Sequence, residues 1–217
     1  MNPQSSDWNK FWKNQKQDQF SHPSWSKRRI LKTLKPFLKS GQRVLDAGCG
    51  SGFFSKFFCD QGLVTFSLDY ADEALAMTRQ ITEGRAMILK KDLLKTPITE
   101  EMLERFDMIF SDGLLEHYTA EEQKRIVENF QSLLNNDGLL VTFVPNRFSP
   151  WEIIRPLFMP GIEETPFVLK ELIRLNIRGN LTILRQGGIN TLPFRFSPDR
   201  LLGPYVGMLL YTIARKS

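Results

Sequence analysis

Hydrophobic residues over the middle of the chain follow the periods of buried strands and amphipathic helices in alternation. From Gln42 onward, short apolar runs alternate with segments whose apolar residues are spaced three or four positions apart. Strands separated by helices of this length imply right-handed crossovers and a doubly wound α/β sheet. The predicted strands are 43–47, 64–68, 86–90, 106–110 and 139–144, and the predicted helices are 52–61, 71–83 and one between a capping box at 119–122 and Asn135.

The N-terminal part predicts two helices. Trp8, Phe11 and Trp12 fall on one face of a short helix within 7–20 whose other positions are polar. Such a helix is unstable alone, so its aromatic face must either cap the core or close over a ligand. A second helix is predicted from about residue 24 to residue 40, kinked or shortened by Pro36.

The C-terminal part is less regular. Residues 147–178 contain four prolines among bulky apolar residues, which predicts an insertion of short helices and a candidate lid. A helix is then predicted at 181–186, closed by two glycines, followed by final strands at 189–196 and 205–214. The predicted organisation is a helical cap at 1–40, a core at 41–146, an insertion at 147–178 and a segment at 179–217 that completes the sheet.

Composition favours one globular domain inside a reducing compartment. The chain has 217 residues, of which 41% are apolar, and no apolar run reaches the roughly 18 residues that span a bilayer. The N-terminus lacks a signal-peptide pattern, and Cys49 and Cys59 form no CxxC motif, so a cytoplasmic protein is predicted. His22 and His117 are not at metal-ligand spacing, so no metal site is expected.

Charge is unevenly distributed along the chain. Residues 1–40 contain nine basic and two acidic residues, residues 41–146 contain ten and seventeen, and residues 147–217 contain ten and five. Basic flanks favour an anionic partner such as a phosphate, a carboxylate, a nucleic acid or a lipid headgroup. Alternatively, the basic residues of the flanks form solvated helix faces without a binding role.

A glycine-rich turn between the first predicted strand and helix is the main candidate for a ligand site. In a doubly wound sheet, ligands bind at the carboxyl ends of the strands, where this turn lies. Asp46 precedes its first glycine by two positions. Asp69 ends the second strand and is suited to ribose hydroxyls, while Asp92 follows the third strand, within reach of an adenine amino group.

The spacing of this turn argues against a dinucleotide. Gly48 and Gly50 are followed by Phe53 at the position where a GxGxxG motif needs its third glycine. A carboxylate at position 46 would repel a pyrophosphate but would tolerate a cationic ligand without phosphate. A sulfonium bearing an amino-acid tail and an adenosine has that chemistry, so the residues favour S-adenosylmethionine over NAD.

The same segment resembles a known signature. It reads Asp46-Ala47-Gly48-Cys49-Gly50-Ser51-Gly52 and is similar to the first motif of class I S-adenosylmethionine-dependent methyltransferases. Asp69 stands at the position of the family's acidic second motif, and Asp92 stands at that of its third-strand acid.

Two later blocks carry the same resemblance. Residues 106–111 with Leu115-Glu116-His117 resemble the fourth-strand motif, and residues 133–140 resemble the block of helix, turn and fifth strand. The resemblance covers about residues 41–146, and more weakly the last two strands. The pattern is similar to the small-molecule branch with an LEH motif, which includes quinone and other natural-product methyltransferases.

The resemblance implies both a fold and a set of site residues. The implied fold is a Rossmann-like, seven-stranded sheet in three α/β/α layers, mostly parallel with an antiparallel terminal strand. The implied cofactor is S-adenosylmethionine. Its methionine end, ribose, adenine and surrounding pocket floor would be contacted by Asp46, Gly48, Cys49, Gly50, Gly52, Asp69, Tyr70, Asp92, Leu93 and Ser111.

Catalysis is predicted to depend on alignment more than on a fixed triad. Glu116 and His117 fall near the methyl-transfer site of the resembled family, and histidine is suited to take a proton near neutral pH. The alternative is that the pair only orders its loop. Methyl transfer from a sulfonium is an in-line displacement with an excellent leaving group, so positioning alone can supply much of the acceleration.

The predicted acceptor is a small molecule that is apolar or anionic. The residues after the fourth strand, Ser111-Asp112-Gly113-Leu114, lack the Asn/Asp-Pro-Pro-aromatic motif of nucleic-acid amino-methyltransferases. The apolar segment 147–178 and the basic flanks favour an apolar or anionic acceptor. The alternatives are an RNA or protein methyltransferase that uses the basic ends, and a non-catalytic module that binds S-adenosylmethionine or a nucleotide.

Overall fold

A computed structural model gives the structure of the chain and describes residues 5–13, 23–94, 105–158 and 164–216. His22, Pro160 and the predicted first helix beyond Lys13 lie outside these residues. Seven strands are present in the described part: β1 Arg43–Ala47, β2 Val64–Asp69, β3 Met87–Lys90, β4 Phe106–Asp112, β5 Leu134–Pro145, β6 Leu181–Ile189 and β7 Leu209–Lys216.

The helices of the described residues lie between and before these strands. Short 3-10 turns follow the second helix at Lys35–Phe37 and the fourth strand at Leu115–His117. The α-helices are α1 Ser5–Lys13, α2 Trp25–Leu34, α3 Phe53–Asp60, α4 Asp72–Ile81, α5 Ala120–Leu133, α6 Trp151–Phe158, α7 Leu169–Arg178 and α8 Asp199–Val206. None of these helices is both long enough and apolar enough to cross a membrane.

The strands form one sheet in the order β3-β2-β1-β4-β5-β7-β6. The neighbouring pairs from β3 to β5 are parallel, whereas β7 runs antiparallel to both β5 and β6. Strand order therefore reverses between β1 and β4, which is where the glycine-rich turn leaves the sheet. The predicted doubly wound, mostly parallel fold with an antiparallel terminal strand is confirmed.

Side chains alternate between the two faces of the sheet along each strand, and both faces are buried. On β1, Val44 belongs to one core cluster and Leu45 to the other. Phe58 of α3 packs in the first cluster, while Phe130 of α5 and Leu172 of α7 pack in the second. Helices on both faces produce the three α/β/α layers.

The predictions for the last forty residues are partly wrong. The segment predicted as a helix at 181–186 is the start of strand β6, and residues predicted as a strand at 189–196 mostly form a loop before α8. The final strand begins at Leu209 rather than at residue 205, because α8 extends to Val206. Pairing with β7 from Leu181 to Ile189, with one register shift between Ile183 and Arg185, overrides the helical periodicity of the apolar residues of β6.

The two glycines interpreted as a helix end have a packing role instead. A Cβ on Gly188 would lie 1.9 Å from the carbonyl oxygen of Gly203, so β6 and α8 touch backbone to backbone. Only glycine permits this approach.

The segment predicted as an insertion contains two different helices. Its second helix, α7, belongs to the helical layer of the sheet, since Leu172 is fully buried. Asn176 Nδ2 also donates a hydrogen bond of 3.1 Å to Thr212 Oγ1 on β7. A separate lid would therefore be limited to the part before α7, and the segment boundaries stay predictions.

Substituting Gly203→Ala tests the backbone contact between α8 and β6. The new Cβ would lie 2.0 Å from the Gly188 carbonyl oxygen, so we expect a loss of about 1–3 kcal/mol in the free energy of unfolding. Alanine favours helix more than glycine, so a loss cannot come from helix propensity. Urea unfolding measures it, with Leu202→Ala on the exposed side of α8 as the control. An unchanged midpoint for Gly203→Ala would contradict the contact.

Candidate functional site

The glycine-rich turn is held against the end of β2 by backbone hydrogen bonds. The N–H groups of Gly48 and Cys49 both donate to the Leu68 carbonyl oxygen, at 2.8 and 3.0 Å. Gly50 has a φ of +49°, and the Trp12 ring packs against it. A Cβ added at Gly50 would lie 2.6 Å from that ring. A side chain at position 50 would therefore be strained and would displace the indole.

Asp46 places a buried carboxyl group below this turn. The residue is 2% exposed, and its Oδ2 accepts a hydrogen bond of 2.6 Å from Ser55 Oγ on α3. Ser55 in turn accepts one from Ser67 Oγ of β2 at 2.7 Å. Burial raises the pKa of Asp46 to about 7, although the Ser55 hydrogen bond opposes the shift.

Asp69 connects the end of β2 to the turn. Its Oδ2 accepts a hydrogen bond from Gly50 N at 3.1 Å, and its Oδ1 accepts from Tyr70 N at 2.8 Å and Ala71 N at 3.0 Å. Burial raises the pKa of this carboxyl group, and the three backbone donors oppose that effect. Asp69 thus orders the loop while still lining the space above it.

A cavity of about 460 Å³ opens at the carboxyl ends of β1, β2 and β4. This volume lies within the range of roughly 300–1,000 Å³ that ligand pockets occupy. The predicted site residues that line it are Asp46, Gly48, Cys49, Gly50, Asp69, Tyr70, Leu93, Glu116 and His117.

Three predicted site residues do not line the cavity. Gly52 begins α3 with a φ of +75° and faces Thr78 of α4. Asp92 Oδ1 accepts a hydrogen bond of 3.0 Å from Leu94 N within its own turn. Ser111 is fully buried inside β4. These three residues are therefore predicted site residues that the structure does not place in the cavity wall.

The aromatic face of α1 covers the cavity. Trp8, Phe11 and Trp12 all line it, and the Trp8 ring meets the His117 ring edge-on with centroids 4.8 Å apart. Asn9 Oδ1 accepts a hydrogen bond of 3.2 Å from Glu73 N and so attaches α1 to α4. These contacts agree with both roles that the sequence left open for this face, a cap on the core and closure over a ligand.

A group of acidic residues lies at the other end of the cavity. Glu116 is 2% exposed, and its carbonyl oxygen accepts a hydrogen bond of 2.8 Å from Thr165 N, which brings Glu164 beside it. One ligand atom each from Glu116, His117 and Glu164 lies within 4.8 Å of the others. Arg155 Nε lies 3.4 Å from Glu164 Oε2.

Lys27 and Asp112 face each other across the same region. Burial lowers the pKa of Lys27, and Asp112 opposes this effect. Burial raises the pKa of Asp112 to about 7, and Lys27 opposes the increase. The Lys27 Nζ also lies 4.2 Å from the centroid of the Phe53 ring.

The sequence did not identify several of these cavity residues. Lys27, Asp112, Trp151, Arg155 and Glu164 come from parts of the chain that only the fold brings together. The one local signal was Glu164 among apolar residues in a segment predicted to cover the site. The absence of a metal site was predicted from histidine spacing, and that reasoning could not detect a group that includes a distant glutamate.

Comparison with known proteins gives the context for this cavity. Residues 45–142 match the model of a family described as "Methyltransferase domain". A ubiquinone biosynthesis O-methyltransferase of Glaesserella parasuis is 33% identical over 113 residues, which cover 49% of this chain and 47% of that protein. A malonyl-[acyl-carrier protein] O-methyltransferase of Hamiltonella defensa is 29% identical over 98 residues, with 45% and 36% coverage. The chain spans less than half the length of these curated relatives.

Solved structures resemble almost the whole chain. A TehB-like SAM-dependent methyltransferase from Corynebacterium glutamicum aligns with a TM-score of 0.67 and 18% identity, over 98% of each chain. The N-methyltransferase NodS from Bradyrhizobium japonicum, solved with S-adenosyl-l-homocysteine, aligns with a TM-score of 0.69 and 15% identity, over 98% and 97%. Residues 45–142 therefore carry the sequence pattern of a methyltransferase domain, on the fold of S-adenosylmethionine-dependent methyltransferases.

Proposed function

We propose that this chain is an S-adenosylmethionine-dependent methyltransferase that acts on a small molecule. The observation that carries the proposal is the pair of carboxyl groups on either side of the glycine-rich turn, Asp46 below it and Asp69 beside it. Both line one cavity within the segment that matches the methyltransferase domain. A pyrophosphate would meet two carboxyl groups here, whereas a cationic sulfonium cofactor would be attracted.

The proposed cofactor contacts follow the wall of the cavity. Asp46 and the backbone of Gly48 and Cys49 would hold the methionine end, and Asp69 would hold the ribose. Leu93 lines the adenine end, so we propose an apolar contact there. The Asp92 carboxylate accepts a hydrogen bond from Leu94 N, so Asp92 would act at this end by ordering the turn that holds Leu93.

The proposed reaction depends on placement and on exclusion of water. The bound cofactor would supply a methyl group on a sulfonium sulfur. Trp8 and Trp12 cover the cavity, and a covered site that holds two reactants in line can supply about 7–11 kcal/mol of the barrier reduction. His117 and Glu116 line the wall where an acceptor would lie and are the proposed groups that receive its proton.

The charge of the cavity restricts the acceptor. Asp112, Glu116 and Glu164 all line the cavity in addition to Asp46 and Asp69. The cations beside these groups, Lys27 and Arg155, already interact with carboxyl groups and are not available to an anionic acceptor, so the proposal keeps a small molecule but drops the anionic class that the basic flanks had suggested. A covered cavity of about 460 Å³ also fits a small molecule better than an RNA or protein segment.

Replacing Asp69 by alanine should weaken cofactor binding by roughly 1.5–3 kcal/mol, because charge-assisted hydrogen bonds to the ribose are lost. Calorimetry with S-adenosylmethionine and S-adenosylhomocysteine measures the change. Asp72→Ala is the matched control, since that side chain is 66% exposed on the next helix. Thermal unfolding of both variants checks that the loop bonded to Asp69 remains folded. Tight binding of NADH with no binding of the two methionine-derived ligands would overturn the proposed function.

Cofactor binding should also release protons from Asp46. In the free protein this carboxyl has a pKa of about 7, so at pH 6 it is mostly protonated. A bound cation favours the carboxylate and lowers this pKa, so affinity should rise between pH 6 and pH 8. Calorimetry in two buffers of different ionisation enthalpy counts the protons. Asp46→Asn should release fewer protons than the wild type, and equal release would remove Asp46 from this role.

A further inference from the structure

Carboxyl groups outnumber cationic side chains around the cavity. Among the described residues that line it there are five carboxyl groups and three Lys or Arg side chains. Of these cations, Lys27 interacts electrostatically with Asp112, and Arg155 lies beside Glu164. The acceptor end is therefore rich in carboxyl groups, which a bound cation would convert to carboxylates.

Glu116 has a buried carboxyl oxygen that no group in the described part of the chain stabilises by a hydrogen bond. It is 2% exposed, and its Oε2 has no hydrogen-bond partner among the described residues, although it lies in the cavity wall. A buried carboxyl oxygen without a donor is costly, so such an atom in a cavity indicates a ligand that donates to it. Burial first, and then Glu164, raise the pKa of Glu116, because both disfavour its negative charge.

Glu164 is in a similar position. Its side chain is 5% exposed, and its Oε2 makes no hydrogen bond within the described residues. Arg155 Nε is 3.4 Å from this oxygen and 3.3 Å from Glu152 Oε2, so one guanidinium serves two carboxyl groups. Because Arg155 is shared in this way, a second cation that contacts Glu164 and the nearby Glu116 would be stabilised.

Aromatic side chains line the same cavity. Trp8, Tyr118 and Trp151 contribute to its walls, and Trp8 packs against the His117 ring. Aromatic faces attract organic cations, and the attraction is stronger where water is excluded. Two buried carboxyl groups in an aromatic cavity suit an alkylammonium ion better than a neutral or anionic molecule.

We propose that the acceptor is a primary or secondary amine that enters as its ammonium form and is held by Glu116 and Glu164. This inference rests on the proposed methyltransferase function and adds its acceptor class. The ammonium N–H groups donate to the two carboxylates, and the organic part of the amine packs against the aromatic walls.

Glu116 also has a role in the chemical step. The ammonium transfers one proton to the Glu116 carboxylate, which leaves a neutral amine with a free electron pair. This pair forms the new N–C bond as the C–S bond breaks and its electrons go to sulfur. The products are a methylated ammonium ion, a neutral thioether and a protonated Glu116, which then returns its proton to water.

Three candidate acceptors that share a phenyl group but differ in their functional group test whether the site prefers an amine over an alcohol or a carboxylate. The probes are 2-phenylethylamine, 2-phenylethanol and 3-phenylpropionate, each offered to the full chain with S-adenosylmethionine for turnover and with S-adenosylhomocysteine for binding. We expect the amine to bind at least tenfold more tightly than either of the others and to be the one that is methylated. Equal or weaker binding of the amine overturns the proposal.

Variants at the two glutamates test where the amine is held. Glu116→Gln and Glu164→Gln should each weaken amine binding at least tenfold and leave the affinity for S-adenosylmethionine within twofold, which also shows that the variants are folded. Glu121→Gln, exposed at the start of α5, is the control and should behave as the wild type. Unchanged amine binding in both glutamate variants overturns the assignment.

Two further outcomes are distinguishable from these. Failure of the wild type to bind S-adenosylmethionine would refute the proposed function itself, whereas cofactor binding with preferred turnover of the alcohol would refute only the amine. Glu116, His117 and Glu164 could also ligate a metal ion. If Mn²⁺ binds stoichiometrically, its binding is lost in Glu116→Gln, and turnover stops in EDTA, then the two glutamates hold a metal ion and the proposed binding of an amine by them is overturned.

Discussion

The hydrogen bonds that Asp69 accepts are the constraint on which the candidate site depends. One carboxyl group joins Gly50 of the glycine-rich turn to the backbone that leaves β2, so two neighbouring strand ends act as one unit. The turn then presents its backbone to the cavity, with the Asp46 carboxyl fixed below it by Ser55. Carboxyl groups that are buried in this way favour positively charged ligands, which is the electrostatic basis of the proposed cofactor.

The central fold could be predicted from the sequence because its signals are local. Alternation of apolar strands and amphipathic helices from β1 to β5 depends on residues a few positions apart, and the capping box at Thr119 marks the start of α5 correctly. The first turn was recognisable for the same reason, since Asp46 and its glycines are contiguous.

The end of the chain could not be predicted in this way because distant contacts decide it. Residues of β6 have a helical spacing of apolar side chains, but pairing with β7 makes them a strand. The Gly188 position looks like a helix end until Gly203 is placed against it. The acidic end of the cavity has the same origin, since Glu116 and Glu164 meet only because Thr165 N donates a hydrogen bond to the Glu116 carbonyl oxygen in the 3-10 turn at Leu115–His117.

The helix α1 contacts both ends of the cavity at once. Trp12 lies over Gly50, and four residues earlier along the same helix Trp8 packs against His117. A rigid helix cannot lift one of these rings far while the other stays in place. The cavity therefore has a single cover for its two halves, and entry to one half is mechanically linked to entry to the other.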